Sequence, residues 1–287
     1  MSALRQDYPA LEVIVCDNSP DEDTAERLEP YMRDKRFRYV RNREAKCKAD
    51  NFVPFEHLAR GEYLQWLMDD DMLLPGKLSL MAQVLQSRPD VTLVTSNRRF
   101  MDGSGRRLEL ELFFSGVPEP YGVSEGKLLG QSMLMRKCNS VGEPSTVLFR
   151  RQDLRHHYWR ADCRGYLTIS DVVMWLELLE KGNCAVFAKP LSAFRVHEGQ
   201  EGARADVSLL AQMEWFQLGE EYYARRIFLT KPDEYMAMLR LMLSEYDGVA
   251  AGCRKRVSPQ AWRAYEECMG IVRERLRQLE QSRGTEG

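Results

Sequence analysis

Short apolar runs alternate with amphipathic segments over the first two hundred residues of this chain. Runs rich in β-branched and aromatic residues predict buried strands at 11–16, 37–40, 63–68, 91–96 and 146–149, with further strand segments at 184–196. Helical spacing of apolar positions predicts helices at 23–32, 51–59, 75–85 and 168–180. Strands that alternate with helices indicate an α/β fold, in which a mostly parallel sheet is covered by helices on both faces.

The pattern changes twice along the chain. Residues 97–140 are punctuated by glycine and proline, which predicts loops or an antiparallel excursion. After about residue 203 only helical periodicity is present, so we expect an α/β domain at 1–202 and a helical C-terminal extension at 203–287. The last apolar stripe, at 262–279, is too short to predict a coiled coil, and core packing is favoured over a dimer seam.

Composition narrows the class of protein. The 287 residues are 44% hydrophobic and 29% charged, which is typical of a globular protein, and the net charge of −2 does not call for a nucleic-acid partner. No apolar run is long enough for a transmembrane helix, and the first residues lack the apolar core of a signal peptide. Seven scattered cysteines without a CxxC pair indicate reduced thiols. We therefore expect a cytoplasmic protein.

Three adjacent acids follow the strand predicted at 63–68. The carboxylates of Asp69, Asp70 and Asp71 would repel one another unless a cation lay among them, and hard ions such as Mn2+ or Mg2+ take oxygen ligands. Ligands of open α/β sheets bind at the carboxyl ends of strands, which is where these acids lie. The alternative interpretation is an acidic loop before a helix, since acids also suit helix N-termini.

Three further residues each allow a functional and a structural interpretation. Asp17 ends the first strand, where a carboxylate can bind a nucleoside or can close a turn on its own backbone. Asp171 begins the helix at 168–180, as a general base or as an ordinary helix-end acid. His197 follows the last strand, as a Mn2+ ligand or as a hydrogen-bonding surface histidine.

Basic residues are concentrated between positions 33 and 48. Nucleic-acid binding is one interpretation, but the acidic stretch before this segment and the near-neutral total charge favour a solvated face, of which one or two residues could meet a diphosphate. Neither the GxGxxG nor the GxxxxGK[ST] phosphate loop occurs. The sequence therefore disfavours a dinucleotide oxidoreductase and a P-loop NTPase.

Five segments occur in a characteristic order: the strand end at 17–19, ARGEYLQWLMDDDMLLPGKL, GEPSTVLFRR, ISDVVMWLELLEKG and PLSAFRVHEG. This order resembles the family 2 glycosyltransferases, whose nucleotide-sugar-binding fold is called GT-A. The similarity covers roughly residues 3–200, and the strand with its acid triplet is the most specific part. The resemblance implies that 1–202 is a GT-A-like domain. It also implies transfer of a sugar from a nucleoside diphosphate sugar to an acceptor hydroxyl, commonly with inversion.

The same resemblance implies roles for individual residues. The implied general base is Asp171, and the Glu143–Ser145 turn falls near the acceptor side. The implied nucleotide-sugar-binding residues are Asp17, Asn18, Lys46, Asp69 and Glu143, and the implied ligands of Mn2+ or Mg2+ are Asp69, Asp70, Asp71 and His197. The expected acceptor is a saccharide, a lipid-linked saccharide or a protein. The C-terminal helices are a candidate contact for the inner face of the membrane or for a second copy of the chain.

The sequence departs from the family pattern at three places. Val173 stands where the family usually has a second acid, and Met68 stands where its Asp-x-Asp motif often begins. Residues 2–9 resemble the end of the family's first helix, so we expect the first, central strand to be missing from a truncated chain. An upstream extension is then expected to raise the melting temperature and the affinity for nucleotide.

Two other functions stay open. The missing strand and Val173 favour the first, a non-catalytic relative that acts as a nucleotide- or protein-binding module. The other is a metal-dependent phosphoesterase that uses the acid triplet, although the sequence offers few additional metal ligands. Turnover of a nucleotide sugar, or hydrolysis of a phosphodiester without acceptor, would distinguish them.

Overall fold

The computed structural model describes residues 1–45, 48–154, 165–197, 199 and 204–284. The strands in these residues are β1 (Val13–Asp17), β2 (Phe37–Arg41), β3 (Tyr63–Gln65), β4 (Met72–Leu73), β5 (Val91–Met101), β6 (Arg107–Leu108), β7 (Tyr121–Ser124), β8 (Leu148–Arg150) and β9 (Asn183–Arg195). The helices are α1 (Asp23–Leu28), α2 (Lys48–Leu58), α3 (Lys77–Ser87), α4 (Gly126–Arg136), α5 (Ser170–Leu179), α6 (Ala205–Ala224), α7 (Pro232–Ser244), α8 (Tyr246–Cys253) and α9 (Pro259–Gly284).

The strands form a small sheet and a large one. β1 and β2 pair in parallel as a two-stranded sheet, and the seven-stranded sheet has the order β3-β8-β5-β9-β4, with β6 on β5 and β7 on β9. No strand within the described residues joins the two sheets. The mixed α/β class, with a central sheet flanked by helices, is confirmed. That the family's first strand is missing stays a prediction.

Strand direction differs from the expected mostly parallel sheet. Within the large sheet, β5 and β9 run parallel, whereas β3–β8, β5–β8, β4–β9, β5–β6 and β7–β9 are antiparallel. An apolar run in the sequence indicates that a strand is buried. Whether the strand is parallel or antiparallel to its neighbour depends on which distant strand pairs with it. The sheet is therefore mixed, and the predicted positions of its central strands are retained.

The core of the large sheet follows the predicted apolar positions. β5 is buried continuously over its first eight residues, and α3 packs one apolar face against the same core. The residues of α3 that were predicted to share a face are buried: Leu78, Met81, Ala82 and Leu85. Periodicity therefore located this helix correctly, although it begins at Lys77 rather than at Pro75.

The segment 97–140 is more regular than the sequence predicts. β5 continues to Met101, β7 covers Tyr121–Ser124, and α4 forms at Gly126–Arg136. The sequence signal of α4 is weak because its buried face includes Gly126 and Gly130 beside Met133 and Leu134. At Gly130 a methyl group would collide with the ring of Phe228, so close packing against a residue far along the chain explains the glycine.

The chain divides into two compact units. The first contains the described residues of 1–124, 141–165 and 174–196, and the second contains those of 125–140, 166–173 and 197–287. The C-terminal helices of the second unit thus group with α4 and with the start of α5. The boundary at 202 stays a prediction.

Most of each apolar stripe in the C-terminal helices is buried within the second unit, whereas Tyr246, Leu276 and Leu279 are half-buried. In α7 the buried stripe residues are Tyr235, Met238, Leu239 and Met242, and in α9 they are Trp262, Tyr265, Met269 and Val272. α9 packs against α6 and α7. This agrees with core packing rather than a dimer seam. No helix in the described ranges combines the length and the apolar character needed to cross a membrane.

Candidate functional site

The acid triplet lies in a turn between β3 and β4 of the first unit. Asp69 is exposed, Asp70 is partly exposed, and Asp71 is buried with 7% of its surface accessible. Pairing of β4 with β9 brings Arg195 to this turn, because Met72 lies opposite Ala193. The backbone N–H of Arg195 donates to Asp71 Oδ1 at 3.1 Å, and its Nε donates to the carbonyl of Asp70 at 2.9 Å. The sheet therefore fixes the position of the acids.

Asp71 is a buried carboxyl with an altered pKa. Burial raises its pKa, hydrogen bonds from the Ser145 side chain and the Arg195 backbone lower it, and the charges of Asp70 and Glu143 raise it further, to about 6. Asp71 Oδ2 is buried and has no hydrogen-bond partner among the described residues. A nearby cation would satisfy this oxygen and relieve the repulsion between the acids.

The donor set fits a hard divalent cation held partly by its substrate. Within the described part of the chain, no three His, Cys, Asp or Glu residues come together as a metal-binding group. Mg2+ sites in nucleotide-using enzymes commonly need one or two carboxylates, with substrate phosphates and water as the other ligands. Asp70 and the free oxygen of Asp71 meet that requirement. The metal roles of the exposed Asp69 and of His197, which is exposed and belongs to the second unit, stay predictions.

Arg98 on β5 is a site residue that the sequence interpretation missed. Its side chain is 8% exposed, and its Nη2 lies 2.9 Å from Glu143 Oε1. Burial lowers the pKa of Arg98, while the carboxylates of Glu143 and Asp71 raise it. Burial raises the pKa of Glu143, and Arg98 opposes that shift. No local signal identified it, because the predicted strand ends at residue 96 and Arg98 stands next to the exposed Arg99.

Asp17 is tied into the end of β1 by four donors. Its Oδ1 accepts from the backbone N–H of Ser19 at 2.8 Å and from the Ser19 hydroxyl at 2.6 Å. Its Oδ2 accepts from the Tyr39 hydroxyl at 2.5 Å and from Arg41 Nη1. A carboxylate offers about four acceptor positions, so a nucleoside N–H would have to displace one of these donors. This geometry supports the turn interpretation, and the nucleoside contact stays a prediction.

We expect Asp17→Asn to destabilise the protein by about 2 kcal/mol at pH 7. Burial alone would raise the pKa of Asp17, but the hydrogen bonds from Ser19, Tyr39 and Arg41 lower it to about 2, below the usual 3.8. Because the folded-state pKa is the lower one, this stabilisation is present above about pH 4 and is lost as the pH falls towards 2. Denaturant unfolding between pH 7 and pH 2 measures it.

The matched control for this prediction is Glu26→Gln, which removes an exposed acid from α1. The difference between wild type and Asp17→Asn should shrink as the pH falls, while Glu26→Gln should follow wild type throughout. A difference for Asp17→Asn that stays constant down to pH 2 would contradict the assigned pKa.

Asp171 lies in the first turn of α5, in the second unit. Its Oδ1 accepts from the backbone N–H of Val172 at 2.8 Å, and its Oδ2 accepts from Asn139 Nδ2 at 2.9 Å. Asn139 follows α4, so the helix that the sequence missed contributes to this arrangement. The carboxylate is oriented at both oxygens, as a general base requires, and its catalytic role stays a prediction.

A buried glutamate fixes the loop that precedes Asp171. Glu214 on α6 is 2% exposed, and its carboxylate accepts the backbone N–H groups of Leu167 at 2.6 Å, Thr168 at 2.9 Å and Ile169 at 3.0 Å. The Thr168 hydroxyl donates to it at 2.6 Å. These donors stand at the N-terminus of α5, where a negative charge is favourable. Sequence analysis missed Glu214 because it lies more than forty residues from its partners.

The other predicted site residues are accounted for as follows. Asn18 is exposed at the turn after β1. Glu143 lies beside Arg98, directly before a short 3-10 turn at Pro144–Thr146. Lys46 lies outside the described residues. Its expected contact with the donor stays a prediction.

The comparison with protein families identifies the family of this chain. The model of the family described as glycosyl transferase family 2 matches residues 1–154, more than half of the chain. The chain belongs to glycosyl transferase family 2. The match includes the acid turn, Arg98 and Glu143, whereas Arg195 and Asp171 lie beyond the matched residues. The protein is therefore a glycosyltransferase, which confirms the family expected from its motifs.

One relative is named as a glycosyltransferase, and a solved structure shares the fold. The chain is 25% identical over 212 residues to the Escherichia coli UDP-Glc:alpha-D-GlcNAc-diphosphoundecaprenol beta-1,3-glucosyltransferase WfaP, covering 74% of this chain and 76% of WfaP. It is 22% identical to Bacillus subtilis protein CgeD, covering 62% of this chain and 41% of CgeD. A crystal structure of Staphylococcus aureus TarS 1–349 in complex with UDP matches with a TM-score of 0.51 at 13% identity, covering 100% of this chain and 86% of that one. The TarS match supports the fold.

Proposed function

We propose that this glycosyltransferase moves a sugar from a uridine diphosphate sugar to a hydroxyl of a saccharide carried on a lipid diphosphate, with inversion. The WfaP relative, whose name specifies a UDP-glucose donor and a diphosphoundecaprenol-linked acceptor, supports this choice of substrates. A free saccharide or a protein is the alternative acceptor. A lipid-linked acceptor would place the enzyme at the inner face of the membrane, where the C-terminal helices are a candidate contact.

The buried oxygen of Asp71 is the observation that carries the donor site. It has no partner among the described residues, it lies next to Asp70, and it is within the region that matches the family. Asp70 and Asp71 would hold Mn2+ or Mg2+, which when bound would neutralise charge on the leaving diphosphate. Because Arg195 fixes Asp71 Oδ1 and the backbone carbonyl of Asp70, the Asp71 side chain and the Asp70 backbone are already held in place.

Asp171 is the proposed general base. Its carboxylate would accept the proton of the acceptor hydroxyl as that oxygen bonds to the anomeric carbon, while the bond from this carbon to the diphosphate oxygen breaks. One base suffices for inversion, because attack and departure occur on opposite faces of the sugar. Asn139 and the N–H of Val172 orient the carboxylate for this step.

Removal of one acid tests the donor site. We expect Asp70→Ala to weaken Mn2+-dependent binding of UDP at least about tenfold, because about 1.4 kcal/mol of charge interaction is enough for that change. Calorimetric titration of UDP, GDP and dTDP, each with and without Mn2+, measures the effect and the choice of base.

The control is Asp247→Ala, which removes an exposed acid from α8 and should bind UDP like wild type. Two results would contradict the proposal: wild type that does not bind UDP with Mn2+, or Asp70→Ala that binds UDP as tightly as wild type.

A further inference from the structure

Arg98 and Glu143 leave three buried polar atoms without partners in the described ranges. They are Nε and Nη1 of Arg98 and Oε2 of Glu143. The two side chains form an ion pair with each other, in which Arg98 Nη2 lies 2.9 Å from Glu143 Oε1. Native proteins leave few buried polar groups unsatisfied, and such groups commonly mark the place of a ligand. Two kinds of free position are available here, N–H donors and a carboxylate acceptor.

The backbone holds Arg98 in this position. The register between β5 and β9 shifts between Ser96, opposite Phe187, and Arg98, opposite Ser192. Irregularities of this kind re-aim side chains near active sites. Asn97 within the shift is fully buried, and its Nδ2 donates to the carbonyl of Ala188 at 2.8 Å. Arg98 is therefore fixed by the sheet.

An exposed aromatic ring lies against the guanidinium. The Cζ of Arg98 is 4.4 Å from the centre of the Phe113 ring, and Phe113 is 41% exposed. The next residue, Phe114, is clamped to Asn97, since its N–H donates to Oδ1 at 2.7 Å and its carbonyl accepts from Nδ2 at 2.9 Å. The loop thus presents an apolar ring beside the unsatisfied donors and acceptor.

The charge of this group discriminates between ligand classes. The guanidinium is paired with the Glu143 carboxylate at 2.9 Å, so the pair carries no net charge and offers a phosphate little attraction. The guanidinium at 2.9 Å from Glu143 disfavours a metal ion at that carboxylate. A hydroxyl both donates and accepts, so neighbouring hydroxyls can satisfy an arginine and a glutamate together. The aromatic ring suits the C–H face of a sugar.

We propose that Arg98, Glu143 and Phe113 form a subsite for a neutral sugar ring, which Arg98 and Glu143 recognise through neighbouring hydroxyls. This subsite rests on the proposed function. The same chemistry is present in the donor sugar and in the acceptor sugar, and the two sources are separated by experiment. A sugar that lacks the matching hydroxyls leaves the buried N–H groups of Arg98 and the Oε2 oxygen of Glu143 without partners, which makes Arg98 a determinant of sugar specificity.

The test is Arg98→Met, which retains the length of the side chain and removes its N–H groups. Its matched control is Arg99→Met, because Arg99 is the next residue on β5 and is exposed. Calorimetry with Mn2+ gives the affinities of UDP and UDP-glucose. We expect Arg98→Met to bind UDP within about twofold of wild type and, for the donor source, to bind UDP-glucose at least about tenfold more weakly.

If the subsite instead binds the acceptor sugar, the affinities of Arg98→Met for UDP and for UDP-glucose stay at the wild-type values. The KM for N-acetylglucosamine carried on a short alkyl diphosphate then rises at least about tenfold. A loss of UDP affinity as large as the loss for UDP-glucose would overturn the subsite in favour of a diphosphate contact. The subsite proposal would also be wrong if Arg98→Met changed neither the affinity for UDP-glucose nor the KM for the acceptor. If the wild-type protein binds no UDP, the proposed function is wrong, and the subsite proposal that rests on it is wrong as well.

Glu143→Gln is a second variant for the case in which Arg98→Met has a lowered melting temperature, since a partly unfolded protein would also lose affinity. The change removes the negative charge beside Arg98 and preserves the size of the side chain. At a sugar subsite it weakens UDP-glucose binding, or raises the acceptor KM, without changing UDP affinity. At a phosphate site it tightens UDP binding, because Arg98 is no longer offset, and that result would overturn the proposal.

Discussion

Asp171→Asn is expected to lower the rate of sugar transfer about a thousandfold, while UDP affinity stays within about twofold of wild type. An asparagine preserves the shape of the side chain and can still accept from Asn139 or from the N–H of Val172, so α5 should keep its structure. What it removes is the ability to accept a proton from the acceptor hydroxyl. Initial rates with UDP-glucose and a diphosphate-linked acceptor, together with calorimetry of UDP, measure both parts of the prediction.

The control is Asp206→Asn, which also replaces an acid in the first turn of a helix. It should transfer at the wild-type rate, so that any effect of helix-end charge is separated from catalysis. Wild-type rates in Asp171→Asn would show that another group takes the proton. Wild type that binds a nucleotide sugar without turning it over would favour the non-catalytic binding module.

Glu214→Ala is expected to destabilise the protein by about 4 kcal/mol and to lower its melting temperature by about 10 °C. The change deprives three backbone N–H groups and the Thr168 hydroxyl of a shared buried acceptor. Donors left without a partner cost more than the lost hydrogen bonds themselves. Because the released loop leads directly into α5, kcat should fall as well, even under conditions where the variant is folded.

Two further variants serve as references for the size of this destabilisation. Ser208→Ala changes an exposed polar residue of the same helix and should leave the melting temperature nearly unchanged. Glu214→Gln retains one acceptor oxygen and should lie between wild type and Glu214→Ala. Urea unfolding and differential scanning calorimetry measure the three variants. A melting temperature of Glu214→Ala equal to that of Ser208→Ala would contradict the assigned role.

Local features of the fold were predictable where the burial pattern is strong. The strand at 91–96 and the helix at 168–180 were predicted close to their observed positions, because apolar period and flanking turns are local properties. α4 was missed because its face is built around glycine, and close packing with Phe228 replaces the usual apolar side chains. Strand direction was missed for a related reason, since it depends on pairing between distant segments.

The candidate site shows the same division. The acid turn was found because three carboxylates in succession are conspicuous in a sequence. Arg98 and Glu214 were missed because a single charged residue does not show that it is buried, nor which groups surround it. Their partners lie about 45 positions away along the chain, at Glu143 and at 167–169. Their roles appear only when those segments are brought together.

The sequence by itself determined the family, the α/β class and the placement of the acid turn after a strand. The apolar period and the flanking turns predicted the α/β class, three successive acids marked the turn, and the order of five motifs carried the resemblance to the family. Only the tertiary structure decided the mixed sheet, the burial of Asp71, the arginine beside Glu143 and the glutamate that holds the loop before Asp171. Burial and hydrogen-bond partnership depend on contacts between distant segments, and those contacts set the charge and the orientation of each group in the site.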